Sequence, residues 1–437
     1  MTSRLPATAP VLMSTIEGLN YRVTVGDVAS QAGLELNLTQ QGLMTLASES
    51  GGDLQVADSG EIVYVFAPDF RHVLRNKFLR LRLQEVWRKI WRVLFYIIRI
   101  SFGIILIGLI VAAIVAIIAL ALAAQASRGE DNDSDWGNIG WGGGSLGYWW
   151  HPNIFWLFDW NTGYGHRRRY RQPERPGETP QLNFLESIFS FLFGDGNPNA
   201  DLDDRRWQSI GSIIRNHQGA IIAEQVTPFL DQTDTLLANE SSILPVLLRF
   251  NGQPEVSPDG EIIYHFPQLQ STAESKRKKY VANYLEEKPW QFTQATTGQV
   301  TIAIILGIVL LVLGVMLQGM LATAGAVSGL IQAIALLALV YGIIYLAIPA
   351  GRYFWLQRQN QQIAARNQQR QDQAAQLDRV SPEIQHKLDF AKQFAAETII
   401  RKQDLIYTTE EDLMPQELKQ AGADWEKQLQ DRHPEAP

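Results

Sequence analysis

Residues 60–66 read GEIVYVF, and residues 260–266 read GEIIYHF. The phrases share Gly60 and Gly260, Glu61 and Glu261, Ile62 and Ile262, Tyr64 and Tyr264, Phe66 and Phe266. Each alternates as a strand with one buried face must. The preceding ADSG (57–60) and SPDG (257–260) offer the glycine that a tight turn between strands uses. Upstream, Gly52 and Val56 answer to Gly252 and Val256.

Working outward, LTQQGLMTLASES (38–50) and NESSILPVLLRF (239–250) carry apolar residues at helical spacing behind a capping polar residue. YRVTVGDVASQAG (21–33) and GAIIAEQVTPFLD (219–231) each read as a short strand, then a short helix. An opening helix suits 10–19 and 203–216. Helix, strand, helix, helix, strand, turn, strand is the order of a winged helix, here expected twice. Each copy leads through a basic stretch to an apolar one, so the expected unit is winged helix, basic linker, membrane helix.

The membrane segments are plain. Residues 102–124, FGIILIGLIVAAIVAIIALALAA, hold no charge and are long enough for a hydrocarbon core of about 30 Å. Val300 to Pro349 also lacks any charged side chain and is too long for one crossing. It reads as a hairpin, 299–317 and 330–350 about the turn QGMLATAGAVSG (318–329). Gly325 and Gly329, with Ala322 and Ala326 beside them, form a close-packing motif that the turn itself explains equally well.

Lys and Arg near the spans give orientation. Arg71, Arg75, Lys77, Arg80, Arg82, Arg88, Lys89, Arg92 and Arg99 precede the first span against Glu85. SKRKK (275–279) precedes the hairpin, and Arg352, Arg358, Arg366 and Arg370 follow it. All three flanks point to the cytoplasmic side, so the chain must return between 125 and 275. GYWWHPNIFWLFDWNTGYG (147–165) is the candidate, because six of the 12 tryptophans lie between Trp136 and Trp160 and aromatic rings favour the interface. His151, Pro152 and Asp159 make it interfacial or re-entrant rather than a clean span. FLESIFSFLF (184–193) is expected to lie amphipathically on the surface nearby.

The 437 residues contain no cysteine, which excludes disulfides, thiol catalysis and cysteine-ligated metal clusters. The seven histidines, His72, His151, His166, His217, His265, His386 and His433, are too scattered for a metal motif. No phosphate loop, nucleophile elbow or dinucleotide fingerprint occurs, and GWGGGSLG (140–147) sits in the aromatic loop. Asp195, Asn197, Asn199, Asp201 and Asp203 have calcium-loop spacing, but Ala200 replaces the turn glycine and Arg206 the bidentate glutamate. A polar turn capping the helix at 203–216 is the simpler reading. The opening MTSRLPATAPVLMSTIEGLN shows no secretory pattern.

A winged helix raises DNA binding, but 38–50 holds no basic residue and 239–250 only Arg249. Residues 1–70 carry Arg4 and Arg22 against eight carboxylates, and the net charge is −7. That balance repels phosphate, so contact with protein is expected and nucleic acid is not.

FLESIFSFLFGDGNPN (184–199) followed by RRWQSIGSIIRNHQG (205–219) resembles a family of membrane proteins of cyanobacteria and chloroplasts, from the first span through the C-terminal helices. The resemblance implies a thylakoid or plasma membrane and no set activity. The iron–sulfur biosynthesis label some plant members carry conflicts with a chain lacking cysteine.

The expected architecture is therefore an α+β membrane protein. Its parts are a winged-helix domain (1–70), basic amphipathic linker (71–93), transmembrane helix (94–126), Trp/Gly-rich interfacial loop and amphipathic segment (127–202), second winged-helix domain (203–268), basic linker (269–298), transmembrane hairpin (299–350) and C-terminal helical tail (351–437). Both winged helices are expected on the cytoplasmic face. The expected role is a scaffold or assembly factor for a membrane complex, without catalytic residues, cofactor or metal. A membrane-tethered transcription regulator is the alternative. A transporter or channel has little support from spans without charges. Partner and oligomeric state stay open.

Overall fold

The computed structural model describes residues 8–77, 79–126, 183–231, 242–274, 278–323, 327–378 and 382–410. They form two compact units. One gathers the described residues of 1–86, 198–289 and 362–437, the other those of 87–197 and 290–361.

The first unit contains α1 (Ala9–Gly18), β1 (Arg22–Thr24), α2 (Val25–Ala32), α3 (Leu36–Ser50), β2 (Asp53–Ala57), β3 (Ile62–Val65) and α4 (Phe70–Lys77). The capping pair Thr24 and Asp27 starts α2: Asp27 N–H donates to Thr24 Oγ1 (3.1 Å) and Thr24 N–H to Asp27 Oδ2 (3.1 Å). Leu12, Ile16, Val28, Leu43, Tyr64 and Phe66 lie among the buried core of these elements. The helix α5 (Leu79–Ala126) follows, and α6 (Phe184–Phe193) belongs to the second unit.

A second set of elements in the same unit is α7 (Leu202–Asn216), β4 (Ala220–Ile221), α8 (Ala223–Val226), α9 (Leu244–Phe250), β5 (Gln253–Val256) and β6 (Ile262–His265). Its ladder has the same register as the first, two hundred residues on. Asp53 faces Val65 and Val56 faces Ile62; Gln253 faces His265 and Val256 faces Ile262. The connecting turns also agree. Ala57 N–H donates to Glu61 O (2.9 Å) and Ser257 N–H to Glu261 O (2.8 Å), with Gly60 at φ 80 and Gly260 at φ 83. Both third helices end on a left-handed residue, Gly51 and Asn251.

The tail departs from the helical expectation for 351–437. After α10 (Thr297–Thr323), α11 (Gly329–Asp378) and α12 (Pro382–Phe394), the chain forms β8 (Thr398–Ile399), parallel to β7 (Ser271–Thr272). It then forms β9 (Leu405–Thr408), antiparallel to β2, so the first sheet runs β1-β3-β2-β9 and the second β4-β6-β5. Leu405-Ile406-Tyr407-Thr408 has strand-forming residues, and β2 offers an unfilled row of backbone groups to receive them.

Two of the expected domain boundaries fall inside continuous helices. Helix α5 continues through 93–94, since no glycine or proline falls between Leu79 and Phe102. Helix α11 continues through 350–351 despite Pro349.

Among the described residues three helices are long and apolar enough to cross a membrane, Val86–Gln125, Thr297–Thr323 and Gly329–Leu377, and the second unit holds their residues 87–125, 297–323 and 329–361. Ala303, Gly307, Leu310, Gly314 and Leu317 are buried at alternating steps of four and three, a continuous seam on α10. Gly307 packs on Tyr345, Gly314 on Leu339 and Gly342 on Leu311, so α10 and α11 are antiparallel. Tyr341 Oη donates to Phe102 O (3.0 Å) and Tyr345 Oη to Ala303 O (3.2 Å). The seam therefore lies within the helices and not at the turn. Gly329 has nothing within 4 Å of a built Cβ, and Gly325 lies outside the described residues.

A Cβ at Gly314 would meet Leu339 N at 2.8 Å and Cα at 3.0 Å, backbone atoms that cannot swing away. Gly314→Leu should therefore cost about 1–3 kcal/mol and lower the thermal midpoint of the detergent-solubilised chain. Gly319→Leu, with nothing within 4 Å, should not. Equal midpoints for the two variants would refute the seam.

The segment 184–193 differs from its expected surface position. Phe184, Ile188, Phe191 and Leu192 are buried with Leu106, Leu310 and Tyr345. Phe189 meets Phe95 and Phe102, and Phe193 meets Phe102. Apolar residues at i, i+4, i+7 and i+8 give a face broad enough to pack between helices, and hydropathy alone does not separate that from lying on lipid. The Trp-rich stretch 147–165 lies outside the described residues.

Candidate functional site

The third helices, α3 and α9, present the surfaces on which the functional reading turns. Along α3, Leu36, Leu43, Leu46 and Ala47 point into the core. Asn37, Leu38, Gln41, Met44 and Ser48 form the opposite, exposed face, with Leu38 49% and Met44 52% exposed. Along α9, Val246 and Phe250 are buried, while Leu244 is 53% and Leu248 70% exposed. Two outward helix faces thus carry large apolar side chains.

The basic side chains near these helices are engaged elsewhere. Arg249 Nε donates to Gly33 O (2.8 Å), and its guanidinium stands 4.3 Å from the centroid of Trp207. Burial lowers the Arg249 pKa, partly offset by Asp203, Glu35 and Asp204. Arg22 Nη1 donates to Ala273 O and to Ile400 O (3.0 Å), and its Nε lies 3.4 Å from Gln55 Oε1. Burial again lowers the pKa, against Asp27 and Glu274.

Between α2 and α7 lies a buried polar junction. Asp27 is 1% exposed. Its Oδ1 accepts from Arg215 Nη1 (2.6 Å) and Thr272 Oγ1 (2.9 Å), and its Oδ2 from Thr24 N–H (3.1 Å) and Ala273 N–H (3.0 Å). Gly211 lets the two helices close, since a Cβ there would stand 2.7 Å from Ser30 O. Arg370 and Glu287 form another buried pair at 2.9 Å, with Arg366 on Glu287 (2.6 Å) and Asp231 on Arg370 (2.8 Å). Nothing in the chain's local pattern marked these ions, which find each other across long separations.

In the second unit, Asp195 accepts from Arg99 (3.1 Å), Ser190 Oγ (2.6 Å) and Gln294 N–H (2.9 Å). Arg352 donates to Ser190 O (3.4 Å) and Phe191 O (3.1 Å), a cation at the carbonyl end of α6. Of the other residues at calcium-loop spacing, Asn199 Nδ2 donates to Lys288 O (2.8 Å), Asp201 pairs with Arg205 (3.2 Å) and Asp203 with Arg206 (3.2 Å). Among the described residues no group of three or more His, Asp or Glu is placed to hold a metal ion. Of the basic stretch, Arg71 pairs with Glu17 (3.1 Å), and Trp87 and Trp91 are exposed.

Compared with known proteins, the chain is 36% identical over 429 residues to the Arabidopsis thaliana protein called "Uncharacterized protein At5g03900, chloroplastic". The match covers 92% of this chain and 79% of that protein. The chain belongs to the family of At5g03900. No protein-family model matches it, and no solved structure matches it. The At5g03900 relative is therefore similar along almost the whole chain described above, including both units.

Proposed function

We propose that this At5g03900-family chain is a non-enzymatic integral membrane scaffold or assembly factor, whose two winged-helix domains contact other proteins. The observation that carries this reading is the exposed Leu38, Met44, Leu244 and Leu248 on helix faces where a DNA reader needs Arg, Lys or Asn. The shared register, turns and left-handed caps at an offset of two hundred support treating the halves as copies of one winged-helix unit. Three apolar helices support a multi-pass position in a bilayer.

Both winged helices belong on one side of the membrane in this reading. Asp195 is bonded to Arg99 and Gln294, and Trp290 N–H to Asn360 Oδ1 (2.8 Å), so the chain enters and leaves the bundle at a common end. The basic flanks support the cytoplasmic or stromal side for that end. The relative's name is chloroplastic, which supports a plastid membrane, and within this proposal the membrane is the thylakoid and the partners are photosynthetic complexes.

The test replaces Leu38 and Met44 together with Asp in the full chain. Exposed positions should leave the fold within about 0.5 kcal/mol of the wild type. A photocrosslinker at Gln41 should capture a protein in native membranes from wild type and lose it in the variant. Unchanged capture would refute the helix-face site. Salt-dependent submicromolar binding of duplex DNA by the nanodisc-embedded chain would instead favour a membrane-tethered regulator.

A further inference from the structure

The two sheets finish differently at the same strand. In the first, β2 has β3 on one side and β9 on the other. Leu54 N–H donates to Thr409 Oγ1 (2.9 Å), and Leu54 O accepts from Thr409 N–H (2.9 Å). Val56 faces Tyr407, and Asp58 N–H donates to Asp404 O (2.9 Å). Two donors, on Leu54 and Asp58, thus help hold the tail strand.

In the second sheet β5 is the edge among the described residues. Leu54 faces Tyr64 and Pro254 faces Tyr264, so Pro254 takes the place of Leu54 and turns the same side outward. Two hundred residues after Asp58 stands Pro258. Two of the positions that grip the tail in one sheet, Leu54 and Asp58, are prolines without N–H in the other, while Val56, which faces Tyr407, has Val256 as its counterpart. Proline is tolerated on a strand where its nitrogen faces away from the ladder, and there it refuses a further strand. One edge is open to strand pairing and the other is closed to it.

The tail strand also shows what the open edge selects. Leu405 packs with Ala57, Val63, Ala273 and Ile400, while Ile406 is 49% exposed. An apolar residue is needed at the first position, the second is half-exposed, and a threonine hydroxyl satisfies Leu54 N–H at the far end.

We propose that the β2 edge is a strand-addition site for a partner protein, and that Asp404–Thr409 is the resident ligand it displaces. The partner supplies an extended segment of the same chemistry, an apolar and aromatic alternation ending in threonine, laid antiparallel on Leu54–Asp58. This rests on the protein-contact reading above and names the mode of contact. Because the resident strand is tethered, it competes at an effective concentration of about millimolar, so the edge admits only a segment that matches it well. Pro254 and Pro258 keep the same segment off the second sheet.

The experiment uses the full chain in nanodiscs and a labelled peptide of residues 401–410. A chain ending at residue 400 should bind one peptide, at least tenfold more tightly than the intact chain does. Leu54→Pro in the shortened chain should abolish binding, since its N–H faces outward and costs β3 no bond. Pro254→Leu with Pro258→Asp in the shortened chain should create a second peptide site. Equal binding to intact and shortened chains, or binding that survives Leu54→Pro, overturns the proposal. If the shortened chain fails to fold, amide exchange on the intact chain decides. The Leu54 and Asp58 amides should exchange at least tenfold faster than those inside α3, and exchange in step with α3 overturns it. Loss of the peptide site leaves crosslinking at Gln41 untouched, so the two readings fail separately.

Discussion

Replacing Asp27 with Ala is expected to destabilise the first unit by about 3–5 kcal/mol. The carboxylate is 1% exposed and accepts four hydrogen bonds, two from side chains and two from backbone N–H groups. Its removal leaves the Arg215 guanidinium without its ion partner and the Thr24 and Ala273 N–H groups without acceptors. Each buried orphan donor costs about 1–3 kcal/mol. Asp27→Asn should also be costly, because its amide NH₂ meets donors on at least one side. Hydrogen exchange across 22–32 and 205–216 is the measurement, and 3 kcal/mol corresponds to acceleration of more than about a hundredfold. An increase below tenfold in both segments would show that the junction is not a principal support of the fold.

Glu287→Ala should have a comparable effect, again about 3–5 kcal/mol, because it leaves the buried Arg370 without one of its two carboxylates. Arg370 also donates to Leu285 O (3.0 Å), and Asn367 bonds both the N–H and the C=O of Glu287 (2.9 and 2.8 Å). The loop at 285–288 is thus fastened to the polar part of α11. Hydrogen bonding from Arg366 chiefly lowers the Glu287 pKa below its ordinary 4.5, burial opposes this, and Arg370 adds to the lowering. A carboxyl whose folded pKa is depressed stabilises the fold above its unfolded pKa. That contribution is complete above about pH 4.5 and is lost as pH falls through the lower folded value. Thermal midpoints of wild type and Glu287→Gln should therefore differ most at neutral pH and converge as pH falls below the ordinary carboxylate range. A gap that widens on acidification would contradict the ion-pair account.

Some features of this protein are decided locally, and those were legible. A membrane helix needs only length and freedom from charge, so 102–124 and 300–349 announce themselves without reference to any partner. The hairpins at 53–65 and 253–265 were readable because period-two alternation and a turn glycine are nearest-neighbour signals. The absence of basic residues from 38–50 is likewise a fact of the string itself. The steps from linker to span at 93 and from span to tail at 350 are changes of hydropathy inside one helix, because helix propagates until something breaks it.

What the sequence could not give is which buried face or edge meets which. FLESIFSFLF has one amphipathic pattern whether it lies on lipid or packs against Leu106 and Tyr345. Arg249 reads as a free cation until Trp207 and the Gly33 carbonyl take it. The residues 405–408 sat inside a tail dominated by helix, and their strand exists only because β2, hundreds of residues earlier, presents the N–H groups of Leu54 and Asp58. Sequence periodicity encodes the direction a side chain or amide faces. The partner on the far side is fixed by the folded chain, where the prolines at 254 and 258 acquire their meaning only beside the strand that fills the matching edge.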